Sequence, residues 1–159
     1  MKIRSSALGF TLMELILVIV LLSILSLFAA SRFMGSGNFS AYALQERVIS
    51  VIRQVQVNRM QSNATSPDNN FRLQVSSSCV GSVAACALTG SARDARSDVV
   101  IDKSARFSVI SGAANTINFN LLGNPVSGAV NILIEDKHGR SRCQVEINTQ
   151  GYVSKGTCS

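Results

Sequence analysis

Residues 10–30 hold a single charged side chain, Glu14, in 21 consecutive positions. A helix of that length rises about 31 Å at roughly 1.5 Å per residue, matching a bilayer hydrocarbon core of about 30 Å. The run is therefore long enough to span a membrane. It exceeds the apolar core of roughly 7 to 15 residues found in a cleaved secretory signal, so we expect it to be retained. Lys2 and Arg4 lie ahead of it and favour a cytoplasmic N-terminus, a bias that Arg32 just beyond the run weakens. The bulk of the chain is then expected outside the cytoplasm.

The roughly 120 residues that follow suffice for one modest core, which excludes a multidomain enzyme with separate cofactor and substrate domains. With 47% hydrophobic and 15% charged residues and only two prolines, the chain is neither disordered nor collagen-like. The formal charge of +6 falls to +4 once Lys2 and Arg4 are set aside, leaving thirteen basic against nine acidic residues. The arginines are scattered rather than blocked, so charge by itself only hints at an anionic partner.

Glu14 is the anomaly of the apolar run, because a carboxylate within a lipid-facing helix costs a few kcal/mol unless it is neutralised or paired. A glutamate reaching back to the interface is the bland explanation. The local string suggests another: residues 1–9 form a short basic leader ending in Gly9, and Phe10-Thr11-Leu12-Met13-Glu14-Leu15 follows directly. This pattern resembles the class III signal of type IV pilins and type II secretion pseudopilins. The resemblance implies that a prepilin peptidase cuts between Gly9 and Phe10 and methylates the new N-terminus at Phe10, leaving 150 residues. Glu14 then becomes the fifth residue, able to pair with the terminal amine of a neighbouring subunit. A buried pair of this kind is a weak source of stability but a good source of register, since a mis-staggered subunit leaves a charge unpaired.

Beyond the run, residues 31–38 carry two glycines and three serines or asparagines, composition that weakens or bends a helix. Residues 39–60 resume a helical period, with Leu44, Val48, Val51, Ile52, Val55 and Val57 on or near one stripe. Gln45, Glu46, Arg53, Gln54, Asn58 and Gln61 are expected elsewhere, Asn38 or Ser40 at the cap, and residues 63–67 as the end. From Phe71 the period becomes two, over residues 71–75, 98–101, 107–109, 117–119, 130–134, 143–147 and 152–154. Turn residues separate these strands at Gly112, Gly123-Asn124-Pro125, Gly128, His138-Gly139 and Gln150-Gly151. Short turns imply mostly antiparallel pairing.

The predicted fold is α+β: a long N-terminal helix, first transmembrane and then amphipathic, packed on a mostly antiparallel sheet domain. Its expected parts are a leader (1–9), a membrane half-helix (10–30), an amphipathic half (31–63) and a β-rich domain (64–159). Ile117-x-Phe119 followed by Gly123-Asn124-Pro125 resembles the GspH/FimT subgroup of minor pilins and pseudopilins. Ser40-Ala41-Tyr42-Ala43-Leu44 with Arg53-Gln54-Val55-Gln56 resembles the MshC-type minor pilins of mannose-sensitive haemagglutinin pili.

Four cysteines in an exported domain suggest two disulfides, with three connectivities open. The sequence-local choice joins Cys79 to Cys86 and Cys143 to Cys158. Zinc is disfavoured because neither spacing gives close ligand pairs, and free buried thiols are the other alternative. His138, the only histidine, has no convincing acid/base partner, and no G-x-S-x-G elbow is present, so no enzyme, cofactor or metal site is expected. Residues 137–142 are the best anion candidate. Arg140 and Arg142 alternate along a strand start and resemble the GRxR motif with which FimT-type minor pilins bind DNA. That motif is displaced here from the last turn, which carries Gly151-Tyr152-Val153-Ser154 instead. The simpler reading is a solvated edge strand whose arginines pair with Glu135 and Asp136.

The resemblance thus implies a minor pilin held in the inner membrane with its domain in the periplasm, then incorporated into a surface pilus with a role in assembly or adhesion. Its partners would be other pilins, the prepilin peptidase and the inner-membrane assembly machinery. The rivals are a type II secretion pseudopilin, and a DNA-binding module using Arg140 and Arg142 with Arg93, Arg96 and Arg106.

Overall fold

The computed structural model describes residues 11–33, 40–112, 114–139 and 141–159. Gly9, Phe10, Arg140, Asn38 and most of the glycine-serine segment lie outside the described residues. The chain divides into two compact units, Met1–Ser36 and Gly37–Ser159.

In the first unit, helix α1 covers Leu12–Phe33, so the helix continues through Ser31, Arg32 and Phe33, where the sequence suggested a bend. Thr11 opens it, its carbonyl and hydroxyl both accepting from the backbone N–H of Glu14, at 3.1 and 3.3 Å. The described side chains of α1 end at Ser26, and among the described residues no helix is both long and apolar enough to cross a membrane.

In the second unit, helix α2 covers Ser40–Gln61 without a glycine or proline. Its buried stripe contains Ala41, Leu44, Val48, Ile49, Val51, Ile52 and Val55. Val57, expected on that stripe, is exposed, because two residues advance about 200° around a helix and carry it away from Val55. Gln45, expected off the stripe, is buried.

The expected α+β layout with antiparallel pairing is present, but as two sheets. Strands β1 (Arg72–Ser76), β2 (Cys79–Ser82), β3 (Val99–Ile101) and β5 (Thr116–Asn118) pair in the order β3-β2-β1-β5. Strands β4 (Ala105–Ser111), β6 (Val130–Asp136), β7 (Arg142–Ile147) and β8 (Val153–Cys158) pair in the order β4-β6-β7-β8. Every pairing between these strands is antiparallel. Two short helices, α3 (Val83–Ala87) and α4 (Gly90–Asp94), occupy the connection from β2 to β3.

Period-two burial explains the layers: β6 buries Val130, Ile132 and Ile134 while the residues between are half-exposed. These side chains meet Leu73, Val75, Val80, Ile117 and the α2 stripe in one core. Helix α2 packs on strands of both sheets. The second sheet carries a bulge in β8 opposite Cys143 to Val145. A Cβ on Gly156 there would sit 2.8 Å from that of Gln144, so only glycine fits without a shift.

Candidate functional site

Helix α1 presents apolar side chains on every side. Leu12, Met13, Leu15, Leu17, Val20 and Leu22 are all at least half exposed, and Met13, Ile16, Leu17, Val20 and Leu21 line a shallow apolar groove. A helix that is apolar all round is stable only among other apolar groups, in a large core, a helix bundle or a bilayer. Its described serines add no polar demand: the hydroxyls of Ser23 and Ser26 donate to the carbonyls of Ile19 and Leu22, each at 2.7 Å. Glu14, in the first turn, is the one acidic side chain of the helix and lies at its exposed surface.

Arg142 opens β7, and its Nε donates to Glu135 at 2.8 Å. The strand it opens lies between β6 and β8, so the expectation of an edge strand is corrected: β7 is interior to its sheet. Pairing with β8 continues past Cys158, where Arg142 and Ser159 exchange two backbone hydrogen bonds of 2.8 Å. Asp136, also considered as a partner, points inward in the row of Val130, Ile132 and Ile134 and is buried. His138 sits exposed in the turn after β6, before Gly139 at φ +67°.

Disulfides join Cys79 to Cys86 and Cys143 to Cys158. The first ties β2 to α3, and the second links directly opposed residues of β7 and β8. No described cysteine is free, and among the described residues no group of three or more His, Cys, Asp or Glu side chains is placed to hold a metal ion.

Arg96 packs beside β2, where its Nε and Nη2 donate to the two carboxylate oxygens of Asp98, each at 2.7 Å. Burial pushes the Asp98 carboxyl up, but hydrogen bonds from Arg96 and Ser82, with the Arg96 charge, together hold it below its ordinary value. The hydrogen bond to Asp98 raises the Arg96 guanidinium in turn. Arg96 also borders a cleft of about 290 Å³ with Arg47, Ser50 and Ser97, but its charge there is already matched by Asp98.

The polar residues that position the domain are ones the helical stripe did not reveal. Gln45 Nε2 donates to the carbonyls of Gln144 (2.6 Å) and Gly156 (3.2 Å), beside the β8 bulge. Gln56 Nε2 donates to the carbonyls of Gly123 and Gly151, at 2.9 and 2.8 Å. Gly151, at φ +79°, approaches so closely that a Cβ would lie 2.3 Å from the Gly123 oxygen. Arg59 reaches the carbonyls of Phe119 (3.1 Å) and Ala64 (2.8 Å). The available signal was spacing: residues 45 and 56 are eleven apart, about three full turns, and so share a face.

No protein-family model, curated protein or solved structure matches the chain.

Proposed function

We propose that the chain is a pilin-like subunit, a minor type IV pilin of the mannose-sensitive haemagglutinin type, anchored in the inner membrane before it enters a filament. The observation that carries this reading is the string from Gly9 to Leu15 in front of a helix that exposes apolar side chains all round and bears Glu14 in its first turn. The transmembrane assignment rests on the sequence of residues 10–30. The periplasmic placement of Gly37–Ser159 agrees with its two disulfides, which persist in oxidising compartments.

In this reading prepilin peptidase cleaves after Gly9, Phe10 is methylated, and the apolar helices bundle. Glu14 then selects the stagger by pairing with a neighbour's terminal amine, because the carboxylate is costly in apolar surroundings unless paired. The other pilins and the inner-membrane assembly machinery are its partners, and priming of assembly or adhesion is its contribution. The DNA-binding alternative gains no support from Arg142, whose guanidinium is engaged by Glu135.

Mass spectrometry of filaments sheared from cells tests the proposal: a methylated N-terminal Phe10 peptide is expected there. Recovery of the processed chain only in the inner membrane, with intact pili lacking it, would favour the secretion pseudopilin. Gly9→Val should block processing. Glu14→Leu should be inserted and cleaved yet enter filaments about tenfold less often than wild type in competition, the effect of losing roughly 1.4 kcal/mol. Equal incorporation would remove Glu14 from the register mechanism.

A further inference from the structure

A cleft of about 390 Å³ opens where the two sheets meet. Four chain segments build it: the turn between β1 and β2, the link from β3 to β4, the start of β4, and the turn after β6. Backbone hydrogen bonds fasten these segments to one another. The N–H of Phe107 donates to the Ser77 carbonyl at 3.4 Å, and that of Lys137 to the Ser104 carbonyl at 2.8 Å. The cleft is thus formed by the sheet seam, with its walls held before any ligand arrives.

Three cations face this cleft, Lys103, Arg106 and Lys137, against one carboxylate, Asp102. Asp102 is already engaged, accepting from both the backbone N–H and the hydroxyl of Ser104. Glu135, directly opposite Arg106 across β4 and β6, is taken by Arg142. The ion pairs among the described residues join Arg96 to Asp98, Arg142 to Glu135 and Lys155 to Glu46, and none includes a cation of this cleft. Like charges gathered at one concavity repel, and an anion bound between them removes that cost.

The size of the cleft narrows the anion. At roughly 30 Å³ per water, it has room for about a dozen waters, more than a bare oxyanion fills. Ser77 and Ser78 add hydroxyls at the rim, while Ile101 and Ala105 supply a small apolar wall. Hydroxyl partners, an apolar wall and net positive charge suit a sugar ring carrying an oxyanion ester. We propose that this cleft binds a phosphorylated or sulfated monosaccharide unit, with Lys103, Arg106 and Lys137 around the ester and Ser77 and Ser78 on the ring hydroxyls. The site lies wholly within Gly37–Ser159 and does not depend on the assembly reading.

The test uses the full chain in non-ionic detergent at low salt, titrated with glucose 6-phosphate, glucose 6-sulfate, inorganic phosphate, glucose and single-stranded oligothymidylate. Calorimetry should give saturable binding of one or both sugar esters with Kd on the order of 1 mM, about 4 kcal/mol. Tighter binding of the phosphate or of the sulfate ester identifies the source. Inorganic phosphate and glucose should each bind at least tenfold more weakly. The K103A/R106A/K137A variant should lose at least tenfold in affinity while keeping its thermal transition and both disulfides, and K155A, remote from the cleft lining, should bind as wild type. No saturable binding, equal binding by the triple variant, or inorganic phosphate matching the esters would overturn the proposal. So would oligothymidylate binding more tightly than either ester and failing in the same variant, since the ligand would then be a nucleic-acid backbone.

Discussion

Helices α1 and α2 are each 22 residues long, and they solve the problem of apolar surface in opposite ways. Helix α2 turns a stripe from Ala41 to Val55 into the core and uses Gln45, Gln56 and Arg59 on the same face to satisfy carbonyls of the domain. Helix α1 has no buried face among its described side chains: large apolar side chains from Leu12 to Leu25 lie exposed around its circumference. The difference teaches that helix length alone does not decide where a helix belongs. A helix completed by its own domain has two chemically distinct faces, whereas one uniform in apolarity needs apolar surroundings on every side.

The sharpest way to break this comparison is to truncate one apolar residue in each helix. Ile52→Ala should destabilise the domain by about 2–5 kcal/mol in denaturant unfolding, because a fully buried side chain leaves a cavity. The matching change in α1, Leu17→Ala, should leave the same unfolding transition within about 0.5 kcal/mol, as expected for a site away from the core. A comparable loss from both would show that α1 is part of the domain's cooperative unit.

A smaller effect sharpens the role of the polar stripe. Gln56→Leu keeps the bulk of the side chain but deprives the Gly123 and Gly151 carbonyls of their shared donor. It should cost about 1–3 kcal/mol by the same measurement, the penalty for a buried polar group left unmatched. A neutral result would mean that the apolar part of α2 holds the turns unaided.

The smallest expected effect concerns pH. The Asp98 carboxyl is held below its ordinary value in the folded state, against roughly 3.9 when unfolded. Its contribution is therefore complete above about pH 4 and is lost as pH falls through the folded-state value. Wild type should be more stable than Asp98→Asn near neutrality, and the gap should narrow on acidification below about pH 4. A gap independent of pH would show that the Arg96 pairing does not set it.

Much of the strand content was legible in the sequence because strand period is local. Residues 71–75, 130–134 and 143–147 alternate cleanly, and they fall within or beside β1, β6 and β7. Gly112, Gly123, Gly128, Gly139 and Gly151, read as turn residues, all have positive φ. The stretch 79–86 lies outside the period-two segments that the sequence predicts as strands. It contains β2, which is buried at every position and so shows no alternation to detect. Three pairings satisfy four cysteines, and the sequence-local choice, Cys79 with Cys86 and Cys143 with Cys158, is the one the structure has.

By itself, the sequence determined the α+β composition, the antiparallel habit imposed by short turns, and the contrast between an apolar run broken only by Glu14 and a domain of ordinary polarity. Each follows from residues that are neighbours along the chain. Tertiary structure decided the division into two sheets, the interior place of β7, the burial of Gln45 and Gln56, and the meeting of Lys103, Arg106 and Lys137 at one cleft. These depend on which distant segments come together. Pairing across tens of residues is fixed by the packing of the whole core, and no local period records it.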